Sequence, residues 1–131
     1  MLQLSVVTPV AFETNLIQLV ENARATNENT ILIHCGSTVT NYILSRPEHR
    51  RRLDGVPIHR VHSAEELLML LRSKEWQQKI TQAHFLVVTP YYHLLENDSL
   101  WKQKKMLLRI ENALEKIEKG GNVHVVCARE E

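Results

Sequence analysis

The segment His84-Phe85-Leu86-Val87-Val88-Thr89-Pro90 is apolar, carries no acid, lysine or arginine, and stops at a proline. A run of strand-forming residues with no polar alternation reads as a strand buried on both faces, which requires layers of chain above and below it. The remainder of the sequence has to supply those layers.

It does so in a regular alternation. Residues 2–8 form a short β-branched run closed by Pro9, and residues 12–26 place Leu16, Ile17, Leu19, Val20 and Ala23 on one helical stripe. Residues 30–35 read as a second buried strand, followed by a Gly36-Ser37-Thr38 loop and a short helix over 39–44 that stops near Pro47. Residues 47–55 are polar and end in Asp-Gly, a turn signal, before a third strand over 56–61. Ser63 with Glu66 three residues later is a capping box, which starts an apolar helix through Leu67, Leu68, Leu70 and Leu71. Trp76 and Ile80 either continue that helix or begin another.

Beyond the strand at 84–89, Asp98-Ser99 heads a long helix over 100–119, with apolar positions 100, 101, 106, 107, 110, 114 and 117 near a 3.6-residue period. Trp76 and Trp101 are expected to pack helices. Gly120-Gly121 ends the long helix and residues 122–128 form a last strand. Five strands alternating with helices predict a single α/β domain with a mostly parallel five-stranded sheet, helices on both faces, and any site at the carboxyl ends of the strands.

The composition agrees with one such domain. A chain of 131 residues can bury roughly two thirds of the surface its unfolded form exposes. Sixteen basic and fifteen acidic residues leave a net charge of +1, so binding to nucleic acid or an anionic membrane has to come from a local patch. Cys35 and Cys127 both lie in strand-like runs, which suits buried free thiols in the cytosol or nucleus. No run approaches a membrane-spanning length, and the first residues lack the basic start of a secretory signal.

The rim can be tested for chemistry. A phosphate loop needs glycines for close backbone approach, then a lysine and a hydroxyl. The loop after the first strand, Thr8-Pro9-Val10-Ala11-Phe12-Glu13-Thr14-Asn15, has the length and position but neither glycine nor lysine. A nucleotide-hydrolysing α/β domain commonly ends its central strand in a metal-holding aspartate, where this chain has Thr89. After His34-Cys35, a cysteine phosphatase needs an arginine six residues on, and the position holds Asn41. His59 with His62, and His124 with Cys127, are three apart and so point to opposite faces of a strand, which leaves no metal site. Ser37, His62 and His93 supply no recognisable nucleophile and base pair. No cofactor and no catalytic residue are expected.

Two surface features remain. Arg46, Arg50, Arg51 and Arg52, with His49 among them and Arg60 close by, form a basic cluster before and within the third strand. It is either a solvated loop or a contact for single-stranded DNA or an acidic partner. Tyr91, Tyr92, His93 and Leu94, leaving the central strand, are either a lid on the core or a partner-binding edge.

The order of these segments resembles the core of RecA-family ATPases, in particular the small divergent recombinase paralogues of Shu-type recombination mediator complexes. Thr8-Pro9, followed by Asn15-Leu16-Ile17-Gln18-Leu19, looks like a Walker A loop and its helix. Residues 30–34 and 58–67 resemble the second strand and the strand and helix before Walker B, and residues 85–89 with 92–95 resemble Walker B and its apolar continuation. Thr8, Glu13, Thr14 and Asn15 stand where glycine, glycine, lysine and a hydroxyl belong, and Thr89 replaces the Walker B acid.

The resemblance therefore implies a RecA-like P-loop core with a degenerate nucleotide site. It implies a non-catalytic nuclear subunit that pairs with another recombinase paralogue and supports homologous-recombination DNA repair. A core shorter than a full recombinase core predicts an open sheet edge for that partner. The competing reading is a TIR-like or flavodoxin-like adaptor acting in signalling, to which Val88-Thr89-Pro90-Tyr91-Tyr92 and Trp101 are superficially similar. The recombinase reading puts the strand at 84–89 beside the first strand, whereas flavodoxin-like order inserts the third strand between the first and the fourth.

Overall fold

A computed structural model describes residues 3–6, 18, 21, 25, 29–36, 41, 45–89, 91–120 and 123–129. The strands are β1 (Gln3–Val6), β2 (Thr30–His34), β3 (Ile58–Arg60), β4 (Phe85–Val88) and β5 (His124–Arg129). The helices are α1 (Pro47–Arg52), α2 (Ala64–Arg72), α3 (Lys74–Thr81) and α4 (Leu100–Lys119), with a 3-10 turn at Tyr92–Leu95. Gln18, Glu21 and Ala25 are also helical.

The strands form one sheet in the order β1-β5-β4-β2-β3, and every pairing among the described residues is parallel. The α/β class with a parallel sheet, expected from the sequence, is thus found. The order is not the one expected. β5 pairs with both β4 and β1, so it separates the strand at Phe85–Val88 from the first strand. The flavodoxin-like order fails too, because β3 sits at the far edge beside β2.

Register explains the core. Ile31, Leu86 and Val125 lie side by side across β2, β4 and β5, as do Ile33, Val88 and Cys127. These rows pack with Leu67, Leu71, Ile110 and Leu114 of α2 and α4 in one buried cluster. Leu32 and Val87, also buried, take the opposite face by alternation. Parallel connections cross over right-handedly. The connections from β3 to β4 and from β4 to β5 run the same way along the sheet, so α2, α3 and α4 share a face. The ion pair of Arg52 with Glu21, at 3.3 Å, joins α1 to the helical residue Glu21.

Several local expectations are sharpened. Residues 47–52 form a helix rather than a loop, with Pro47 at its first position and Glu48 in its first turn, both favourable there. Ser63 Oγ accepts from Glu66 N–H at 3.0 Å, but the Glu66 carboxylate takes the N–H of His62, not that of Ser63. Ser73, extended at φ −66° and ψ 130°, breaks the helix, so Trp76 and Ile80 belong to α3. Trp76 packs against the core and edge-on to His59, with ring centroids 4.7 Å apart. Trp101 does not pack as expected: it is 72% exposed, because the buried stripe of α4 runs through Met106, Ile110 and Leu114 on its other side.

Candidate functional site

At the carboxyl ends of β2 and β4 the described rim residues close on one another. β2 continues past His34 into Cys35 and Gly36, and β4 into Thr89, whose N–H still donates to Ile33 O at 3.1 Å. The Thr89 hydroxyl is fully buried and accepts from Cys35 N–H at 2.8 Å. From the turn beyond, His93 Nε2 donates to Cys35 O at 2.6 Å. Both backbone polar groups of Cys35 are thereby held by side chains from the neighbouring strand and its exit.

A second network surrounds Gly36. The Gly36 N–H donates to His34 Nδ1 at 3.2 Å, which fixes the proton on Nε2, and Nε2–H donates to Asn41 Oδ1 at 3.1 Å. Asn41 Nδ2 returns a hydrogen bond to Gly36 O at 3.3 Å. Gly36 has φ +77°, a conformation that favours glycine. A Cβ there would also sit 3.6 Å from Arg60 Nη2, so the guanidinium belongs to this rim. Burial lowers the basicity of the His34 ring, the Arg60 charge lowers it further, and the Asn41 hydrogen bond opposes both. His34 is a neutral, structurally engaged imidazole at pH 7.

The thiols are similarly quiet. Burial pushes the Cys35 thiol up to about 12, against the Thr89 hydrogen bond, and burial with the charges of Glu111 and Glu118 pushes Cys127 up to about 12. Both are free and buried. A thiol with that acidity presents almost no thiolate at neutral pH.

The loop residues Thr8, Glu13, Thr14 and Asn15 lie outside the described residues. Of the aromatic exit, Tyr91 is 1% exposed and belongs to the core, which removes it as a contact for a partner in this conformation. Burial raises the pKa of its hydroxyl well above the ordinary phenolic range. Tyr92 stacks on it, with ring centroids 5.3 Å apart and planes 10° from parallel. Tyr92, His93 and Leu94 are half-buried and form the outward edge of this group.

The basic cluster is divided. Arg46 pairs with Glu48 at 3.2 Å and Arg52 with Glu21, so two of its cations face carboxylates. Arg50 and Arg51 lie on α1, and Arg60 is at the rim beside Gly36. Sequence reasoning missed the ring of His34, Asn41 and Gly36; a histidine inside a buried strand, two residues before a glycine, was the available signal. Among the described residues no group of three or more His, Cys, Asp and Glu side chains converges as metal ligands would.

Neither the models of known protein families nor the curated protein sequences contain a match to this chain.

Proposed function

We propose that this chain is a non-catalytic subunit of a recombination mediator complex, built on a RecA-like core whose nucleotide site has been lost. It pairs with another recombinase paralogue in the nucleus and supports DNA repair by homologous recombination. The end of β4 carries the reading: on a parallel α/β sheet, the position of the Walker B acid holds Thr89, which is buried and uncharged. The strand order does not support it, since the recombinase reading put β4 beside β1 and β5 stands between them.

The Thr89 hydroxyl supports the non-catalytic half of the reading. Where a Walker B carboxylate would hold magnesium, this chain has a buried hydroxyl, Thr89 Oγ1, which accepts from Cys35 N–H and brings no negative charge. For pairing, the half-buried edge of Tyr92, His93 and Leu94 and the short edge strand β3, with Ile58 exposed, are the surfaces on offer.

Co-purification from the native cell, followed by mass spectrometry, tests the pairing. A recombinase paralogue among stoichiometric partners is the expected result, and a signalling receptor in its place would overturn it. Titration calorimetry with magnesium-ATP tests the lost site. No heat of binding is expected; micromolar binding would refute the loss.

A further inference from the structure

On the outer side of the α2, α3 and α4 layer, away from the rim, two concavities of 380 and 460 Å³ adjoin at Arg72 and form one groove. Its upper part is lined by Leu68, Met69 and Met106, and its lower part by Ile80, Ala113 and Ile117. From Met106 to Ile117 the helix rises by about 16 Å, the length of three turns of a second helix. Met69 stands at the groove wall 72% exposed. Methionine is the side chain most able to reshape itself around an apolar visitor.

The charges say which visitor. Arg72, Arg109 and Lys116 line the groove, and none of them makes an ion pair among the described residues. The one acid in the lining, Glu65, is 3.5 Å from Lys102 Nζ. Residues 99–110 carry Lys102, Lys104, Lys105 and Arg109 and no acid. Lys102, in the first turn of α4, is held by Asp98 and Glu65 at 3.5 Å each, so Arg72, Arg109 and Lys116 are the cations that the groove presents to a ligand.

We propose that the groove between α2 and α4 is a docking site for an acidic amphipathic helix of a partner protein. Its apolar stripe would fill the Met69 and Ile80 halves, and its carboxylates would meet Arg72, Arg109 and Lys116. A single nucleic acid strand is the other ligand a basic surface attracts, and exposed Trp101, with Lys105 Nζ 4.8 Å from its ring, is a platform of the kind bases stack on. The groove, however, has an apolar floor that a phosphate chain gains nothing by covering, whereas buried methionines and arginines are the usual content of protein interfaces. The inference is independent of the recombination reading, since it uses no rim residue.

The test uses the whole chain and three fluorescein-labelled probes in anisotropy titrations. One is a 16-residue amphipathic peptide with leucines on one face and glutamates elsewhere; the second has lysine for every glutamate; the third is a 20-nucleotide oligo-dT. The acidic peptide is expected to bind at least about tenfold more tightly than the basic one, a difference that shrinks with salt. Met69→Glu should weaken it, and the double change Arg72→Glu with Arg109→Glu should reverse the preference between peptides. All three positions are exposed, so circular dichroism should show each variant folded. Equal binding of both peptides, an unchanged preference in the double variant, or tighter binding of oligo-dT than of the acidic peptide would each overturn the proposal.

Discussion

The N–H of Cys35 and the hydroxyl of Thr89, 54 positions apart in sequence, meet at 2.8 Å in the interior and tie the exit of β2 to the exit of β4. Two parallel strands need no such clip along their ladder, but past the last ladder bond a buried N–H has to find another acceptor. Thr89 supplies it.

Replacing Thr89 by valine keeps the shape and removes that acceptor. The loss should cost about 1–3 kcal/mol, the penalty for a buried donor left unpaired, while Thr89→Ser should retain most of the stability. Chemical denaturation of the two variants measures the difference, and a neutral valine variant would show that the clip does not matter.

His34 makes stability depend on pH. Its folded basicity is lowered from the ordinary value of 6.5, so the unfolded chain binds the extra proton first. The stabilisation is fully present above pH 6.5 and should be lost as pH falls from there toward the folded value. Denaturation midpoints between about pH 8 and pH 5 should decline over that window, and less steeply in His34→Gln. An identical slope in the variant would assign the dependence to other groups.

Both thiols should resist modification. With Cys35 and Cys127 buried and their pKa values pushed up to about 12, a thiol reagent at about pH 8 should label neither until denaturant is added. Fast labelling of the native protein would mean that the ends of β2 or β5 open readily.

The two tryptophans should behave oppositely. Trp101→Ala, at an exposed site, should change stability by no more than about 0.5 kcal/mol. Trp76→Ala, half-buried against the core and His59, should cost about 2 kcal/mol, roughly half the loss from a fully buried ring. Equal effects would place the α4 stripe wrongly.

Capping at α2 should be separable into two parts. Ser63→Ala removes the acceptor for Glu66 N–H and should cost about 1 kcal/mol; Glu66→Ala releases His62 N–H and should cost less, because that bond is exposed. A double-mutant cycle measures the coupling between them.

Element by element, much of this fold was legible. The unbroken apolar runs at 30–35 and 84–89 marked strands buried on both faces, and the Ser63 and Ser99 caps marked the starts of α2 and α4, because these signals are local. Others failed for reasons outside their own segments. Leu100 and Trp101 fall near the 3.6-residue period of α4 yet are exposed, since the helix is oriented by where α2 lies and not by its own pattern. Residues 47–52 looked like a loop because the five polar residues after Pro47 give no periodicity, although Pro47 and Glu48 are good helix starters. Of the rim, the sequence named Thr89, His93 and Arg60 but not what they touch.

The sequence alone determined that the chain alternates strands with helices, that β2 and β4 are interior, and that Thr89 brings no carboxylate to the end of β4. Periodicity, capping and residue chemistry act within a few residues and can be read along a line. Only the tertiary structure decided that β5 enters between β1 and β4, that Thr89 is spent on Cys35, and that Tyr91 faces inward while Trp101 faces out. Strand order depends on the direction of each crossover and burial depends on neighbours distant in sequence, so both are settled when the layers pack.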